Sequence, residues 1–373
     1  MIDSLHIGNF RCFEKLELRG LKRVNVVTGD NGSGKTALLE ALHIGTRGTP
    51  ESVIQLNRIR GLPNPSDVPF PFQLAMGGIT AASFRDIWLH LFRDENQHIS
   101  IKYTDQNKRT WNLEIYFSTD EATSAPLLGQ NERQGESVRP IIFDRRDNAG
   151  KTSKLTGSVN PQGHLAFRPA GPFGPPSFPF MSMTPPSTAD AISWFSDLRM
   201  SGRSEEVVQF IREEFPFISN IEVLAPGGAQ QGIYATLTSG GARSLSLISA
   251  GLQKLFSVVV ALADAKKGIV LIDEIENGIF YEKYASTWAT LYNLSKKTDS
   301  QLFVSSHSSE CLEALLPTLN IDNNADDFCL LRTERENGKC SVRHISGASM
   351  KAALKRGGEL RGAALDQKTQ AHN

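Results

Sequence analysis

Residues 24–42 read VNVVTGDNGSGKTALLEAL, and this order of residue types decides the fold. Apolar Val24, Val26 and Val27 predict a short strand. It runs into Gly29-Asp30-Asn31-Gly32-Ser33-Gly34-Lys35-Thr36, which fits the Gly-x-x-x-x-Gly-Lys-Ser/Thr P-loop pattern, and then into the good helix formers Ala37, Leu38, Leu39, Glu40, Ala41 and Leu42. Glycines let the backbone turn tightly enough for successive N–H groups, those around Asn31, Gly32 and Ser33, to face phosphate oxygens. The new helix aims its positive end at the same place. Lys35 is expected to reach the β- and γ-phosphates of ATP, and Thr36 to offer its hydroxyl to Mg²⁺.

Outward from this stretch, the composition is that of an ordinary globular α/β protein: 373 residues, 40% hydrophobic and 21% charged, with a formal net charge of +0. Such a balance gives no global attraction to nucleic acid or to an anionic membrane, while leaving room for a local basic patch. Cys12, Cys311, Cys329 and Cys340 have neither zinc-site nor redox-pair spacing, so reduced thiols in a cytoplasmic protein are expected. The opening MIDSLHIGNFRCFEKLEL alternates polar and apolar residues and lacks a signal-peptide core. The longest apolar run, 255–263, is too short to span a bilayer.

Alternation at Leu5, Ile7 and Phe10, and again at Phe13, Leu16 and Leu18, predicts two strands ahead of the P-loop strand. Residues 98–103 and 112–117 read as an antiparallel hairpin and 139–143 as a further strand. The glycine- and proline-rich span 144–187 reads as stiff surface connections. Helical spacing returns over 189–215 with a break near Ser201-Gly202. Strands follow at 220–224 and 232–238, an amphipathic helix from Ser249, an apolar strand at 268–272, a helix over 281–297 and a strand at 301–304. Apolar strands alternating with helices predict a parallel central sheet covered on both faces, beside an antiparallel lobe.

Three later stretches can complete a nucleotide site. Strand 268–272 ends in Asp273-Glu274, and strand-end acids of a parallel sheet lie at the carboxyl edge from which the P-loop also emerges. Asp273 suits the Mg²⁺ shell and Glu274 suits the base that polarises attacking water, with Glu276 as the alternative base. His307, in Ser305-Ser306-His307-Ser308 at another strand end, can hydrogen-bond a γ-phosphate or that water. Ser249-Ala250-Gly251-Leu252-Gln253 opens a helix as a second anion site, best explained by the γ-phosphate of an ATP held by a different subunit.

P-loop, Ser-x-Gly-x-Gln helix, Asp-Glu strand and His strand, in this order, resemble the ABC-type ATPase heads of SMC, RecF and OLD proteins. GNFRCFEKLEL, TGDNGSGKTALLEAL, LISAGLQKLF, IVLIDEIENGIFYEKY and QLFVSSHSSECLEAL are together most similar to the OLD-type, AAA15-like ATPases. The resemblance implies Gly29, Gly34, Lys35 and Thr36 as Walker A, Asp273 and Glu274 as Walker B, Ser249 and Gly251 as a signature acting in trans, and His307 as a switch histidine. It also implies nucleotide contact by Arg11 and a D-loop beginning at Asn277-Gly278, which departs from the more familiar Ser-x-Leu-Asp form. Gln55 and Gln73 compete for the Q-loop role. The head is expected over 1–331, with β-lobe and helical insertions within 45–240, followed by a basic segment over 332–373. No Toprim-type carboxylate set follows His307.

These features predict an ATP hydrolase that forms a dimer or higher even-numbered oligomer around nucleotide, and the resemblance implies that it controls a separate effector protein, as in bacterial anti-phage defence. A RecF-type clamp on DNA and a non-catalytic ATP-binding scaffold are the alternatives. No membrane partner is expected.

Overall fold

The computed structural model describes residues 1–61, 81–119, 139–159, 165–170, 180–181, 188–228, 231–264, 268–321, 324–358 and 360. Gln73 lies outside them. The central sheet has the order β16-β15-β3-β14-β13-β9, where β3 is Val24–Gly29, β9 Phe180–Met181, β13 Ile269–Ile272, β14 Gln301–Ser305, β15 Phe328–Glu336 and β16 Lys339–Ser346. All neighbours are parallel except β15 and β16. The carboxyl ends of β3, β13 and β14 therefore share one edge, where the three strand-end motifs were expected to meet.

Both faces of this sheet are covered, which explains the uninterrupted apolar runs. Val27, Leu271, Phe303 and Leu331 face one core, shared with the helix Lys35–Arg47 and the larger lobe. Val26, Val270, Val304 and Leu330 face a second core with Trp288, Leu291 and Met350 from the helices Tyr284–Thr298 and Gly347–Lys355.

A seven-stranded antiparallel sheet, ordered β2-β1-β4-β5-β6-β7-β8, forms the larger lobe. Its strands are β1 (Ile2–Phe10), β2 (Phe13–Arg19), β4 (Ile99–Asp105), β5 (Thr110–Phe117), β6 (Ile141–Asp147), β7 (Thr152–Val159) and β8 (Leu165–Ala170). The expected hairpin is β4–β5, with Ile99 opposite Ile115 and Ile101 opposite Leu113. Gln301 joins the two sheets: its amide accepts from the Ile2 N–H at 2.7 Å and donates to the Ile2 and Lys22 carbonyls at 2.8 Å each.

A smaller lobe packs Ile221 of β10 (Ile218–Leu224) and Ala235 of β11 (Gly232–Leu237), with β12 (Ala242–Ser244) beyond. Phe195 and Val207 of the helices Thr188–Met200 and Ser204–Glu214 complete this core against Phe256 of the helix Ala250–Asp264.

Two expectations are corrected. The span 144–187 is not only connection, because β7 and β8 extend the antiparallel sheet from within it. Nor does a separate basic segment start at 332: β15 runs across that boundary and pairs with β3, placing Arg332 at 1% exposure in a central strand. Hydrogen bonding to β3 outweighs the local charge pattern, and Arg332 is neutralised by Glu334 at 2.6 Å. Among the described residues, no helix is long and apolar enough to cross a membrane.

Candidate functional site: a phosphate cradle at the carboxyl edge

The turn after β3 is built from left-handed backbone: Gly29 has φ 141°, Gly32 φ 74° and Gly34 φ 107°. At Gly29 the glycine is also a steric necessity, since a Cβ there would lie 2.2 Å from the Thr333 carbonyl oxygen of β15. Ser33 is buried with its hydroxyl against Thr333 Oγ1 and donating to the Asp30 carbonyl at 2.7 Å. This fastens the loop to β15. Lys35 opens the helix and folds back over the loop, its ammonium donating to the Gly29 and Asp30 carbonyls at 2.7 and 2.9 Å. Those carbonyls occupy the lysine where phosphate oxygens would recruit it. Burial pulls the Lys35 pKa down, opposed chiefly by Asp273. Asn31 and Gly32 are exposed on the loop's rim, and Arg335 of β15 donates to the Gly32 carbonyl at 3.4 Å.

Asp273 stands directly across from the P-loop. Thr36 Oγ1 donates to its Oδ2 at 3.2 Å, and Ser305 Oγ, from the end of β14, donates to its Oδ1. Burial raises the Asp273 pKa, while these two hydroxyls oppose the rise. A hydroxyl and a carboxylate in contact make a hard-oxygen pair that suits Mg²⁺, an ion that keeps most of its water and takes few protein ligands. Thr36 and Asp273 are the residues that would hold it.

Glu274 follows in a left-handed conformation, φ 48°, rare for a residue with a Cβ. Three contacts hold it there. Its N–H donates to Ser305 Oγ at 2.8 Å, the Lys254 ammonium donates to its carbonyl, and Asn277 Nδ2 donates to its carboxylate. The side chain is exposed at the edge rather than folded into the core. Ile275 anchors the turn, buried and bonded from its N–H to the Ser305 carbonyl at 3.1 Å. His307 is 46% exposed, with Nδ1 2.8 Å from Glu276.

Ser249 is exposed at the start of the helix Ala250–Asp264 and accepts weakly from the Leu252 N–H at 3.4 Å. Gly251 is buried, and its Cα lies against the backbone of Gly278 from the same chain. Arg11, expected at the nucleotide, has its guanidinium against the buried carboxylate of Glu40 on the P-loop helix, Nε to Oε2 2.7 Å, with Arg60 on the other oxygen. Gln55 lies in the helix Pro50–Ile59.

The edge thus gathers Gly29 to Thr36, Asp273, Glu274 and His307 in one chain, with Ser249 and Gly251 joined to it through Gly278. Sequence reading missed Ser305, Lys254 and Arg335. Ser305 carried a signal, a hydroxyl closing an apolar strand beside an acidic strand end. Lys254 and Arg335 did not, because each looks like any solvent-facing cation.

Residues 24–313 match the model of the family described as "AAA domain, putative AbiEii toxin, Type IV TA system". An "ATP/GTP phosphatase" of Helicobacter pylori is 23% identical over 356 residues, covering 90% of this chain and 94% of that protein. The DNA replication and repair protein RecF of Idiomarina loihiensis is 46% identical over 43 residues, only 12% of either chain. The Smc head domain from Pyrococcus furiosus, solved with the C-terminal domain of ScpA, aligns with 95% of this chain and 98% of that one at 13% identity and a TM-score of 0.47.

Proposed function

Because the chain belongs to the AAA-domain family matched across residues 24–313, we propose that it is a Mg²⁺-dependent ATP hydrolase whose active site is completed by a second copy of itself. The observation that carries this is the meeting of Thr36, Asp273 and Ser305 in one hydrogen-bonded chain at the carboxyl edge, with Glu274 turned outward beside it. The phosphatase likeness of the Helicobacter pylori relative supports hydrolysis.

Binding ATP would draw Lys35 from the Gly29 and Asp30 carbonyls onto the β- and γ-phosphates, while the loop N–H groups of Asn31 to Gly34 take the remaining oxygens. Mg²⁺ held by Thr36 and Asp273 would neutralise charge between the phosphates. Glu274, freed from Asn277, accepts one proton of the water that attacks the γ-phosphorus, and His307 accepts a hydrogen bond from the same water. The exposed Ser249 and its helix N-terminus are assigned to the ATP of the neighbouring copy. Leu247, Phe280 and Tyr281, 82%, 60% and 60% exposed, flank Ser249 and Gly278 in sequence and suit a contact between subunits.

The reading extends to a dimer or higher even-numbered oligomer, cytoplasmic and of the OLD/AAA15-like subclass, that holds or releases a separate effector protein. Bacterial anti-phage defence is the setting it fits. The test is steady-state ATP turnover of Glu274→Gln. Loss of turnover with ATP retained is expected, and turnover at the unmodified rate would refute the role of Glu274. The RecF likeness favours a second reading, a DNA-bound ATPase clamp. It requires ATP-dependent, salt-sensitive retention of duplex DNA.

A further inference from the structure

We infer that Glu276 is the positioning residue of His307, fixing the ring so that Nε2 faces the water that attacks the γ-phosphate. This rests on the proposed hydrolytic reading and assigns Glu276 a part different from that of a water-activating base.

The geometry comes from the turn after β13. Ile275, 1% exposed, pins this turn to the Ser305 carbonyl. Glu276 is buried, with its side chain 6% exposed, and its Oε1 gathers three contacts. The His307 N–H donates to it at 2.7 Å, the Ser308 N–H donates at 3.2 Å, and His307 Nδ1 lies 2.8 Å away. Its Oε2 is buried with no hydrogen-bond partner among the described residues.

A carboxylate is costly to bury, and two backbone N–H groups need only a neutral acceptor. The third contact gives the charge a purpose. A carboxylate at Nδ1 selects the tautomer with the proton on Nδ1, orients the ring and makes Nε2 its acceptor, on a side chain that is 46% exposed. Glu276 is also the foremost charge opposing the burial-driven fall in the pKa of Lys254, the residue that holds the Glu274 carbonyl. With Oε1 committed and both oxygens enclosed, Glu276 has no face for a water nucleophile. Glu274, exposed at the edge, has one.

The experiment compares steady-state ATP turnover of the full chain with Glu276→Gln, His307→Ala and the double variant. Glutamine keeps an oxygen for the two backbone N–H groups but removes the charge at Nδ1. The expected result is a fall in kcat of about tenfold for E276Q with KM changed less than about twofold, and a double variant no slower than H307A alone. An unchanged kcat, or an equal loss when E276Q is added to H307A, would overturn the positioning role. H307A at the full rate would instead remove His307 from the reaction, and the proposal with it.

A measurement without a variant stands beside this one. In the nitrogen NMR spectrum of the intact protein labelled at histidine, neutral His307 should carry its proton on Nδ1. A proton on Nε2 would overturn the inference.

Discussion

Gly251 and Gly278 meet backbone against backbone: a Cβ on Gly251 would lie 1.6 Å from the Gly278 carbonyl oxygen. The first residues of the helix Ala250–Asp264 are thereby joined to the loop that follows Glu274, and Lys254 adds a second tie to the Glu274 carbonyl one turn further on. A glycine that sequence reading explains by phosphate access has a second reason to be there.

Gly251→Ala should therefore displace the 278 loop rather than simply fill space. Overpacking of this kind costs about 1–3 kcal/mol, and a fall of that order is expected in urea unfolding, together with slowed ATP turnover. A variant as stable and as active as the unmodified chain would contradict the contact.

Ser305 serves two neighbours at once, donating to Asp273 and accepting from the Glu274 N–H. Ser305→Ala removes one contact from each. Loss of a residue that orients a metal ligand typically weakens metal affinity about 10–100-fold, so turnover should need that much more Mg²⁺. Binding of nucleotide in EDTA, which relies on the P-loop, should stay near normal. An unchanged Mg²⁺ requirement would remove Ser305 from the site.

His43, on the buried side of the P-loop helix, is 0% exposed and bonds through Nε2 to the Ser52 carbonyl at 3.2 Å. Burial depresses its pKa from 6.5 to about 3. The folded chain keeps this ring neutral where the unfolded chain protonates it, so stability is complete above about pH 6.5 and falls as pH drops toward 3. Each pH unit inside that window costs at most about 1.4 kcal/mol. His43→Gln, which keeps a donor for Ser52, should lose stability less steeply than the unmodified chain between pH 6.5 and 4.5, by roughly 2 kcal/mol over the interval. Parallel acid limbs in chemical denaturation would contradict this.

Much of the architecture was legible from periodicity. Alternation in β1, β2, β4 and β5 and the unbroken apolar runs of β3, β13 and β14 reflect sheets buried on one face and on two faces, respectively. Glycine and proline concealed β7 and β8. Pro169 lies in β8, the outermost strand of this sheet among the described residues, and an edge strand tolerates a residue without an N–H. Arg332 read as the start of a basic C-terminal segment, and only the pairing of β15 with β3 reveals it as buried.

At the site, the strand-end positions of Asp273 and His307 followed from the parallel order. The left-handed Glu274 did not, since it is held by Ser305, Lys254 and Asn277, contacts that exist only after folding. Arg11, expected at the nucleotide, has its guanidinium against the buried Glu40, a partner that sequence spacing does not reveal.

The central claim is that each ATP lies between the Lys35 of one copy and the Ser249 of another. Its most direct test mixes two full-length variants, Lys35→Ala and Ser249→Glu, each expected to be inactive alone. At equal mixing, random pairing puts half of the dimers in mixed form with one intact site in two, so turnover should recover to about a quarter of the unmodified rate. A mixture no more active than its two components would contradict a site shared between copies.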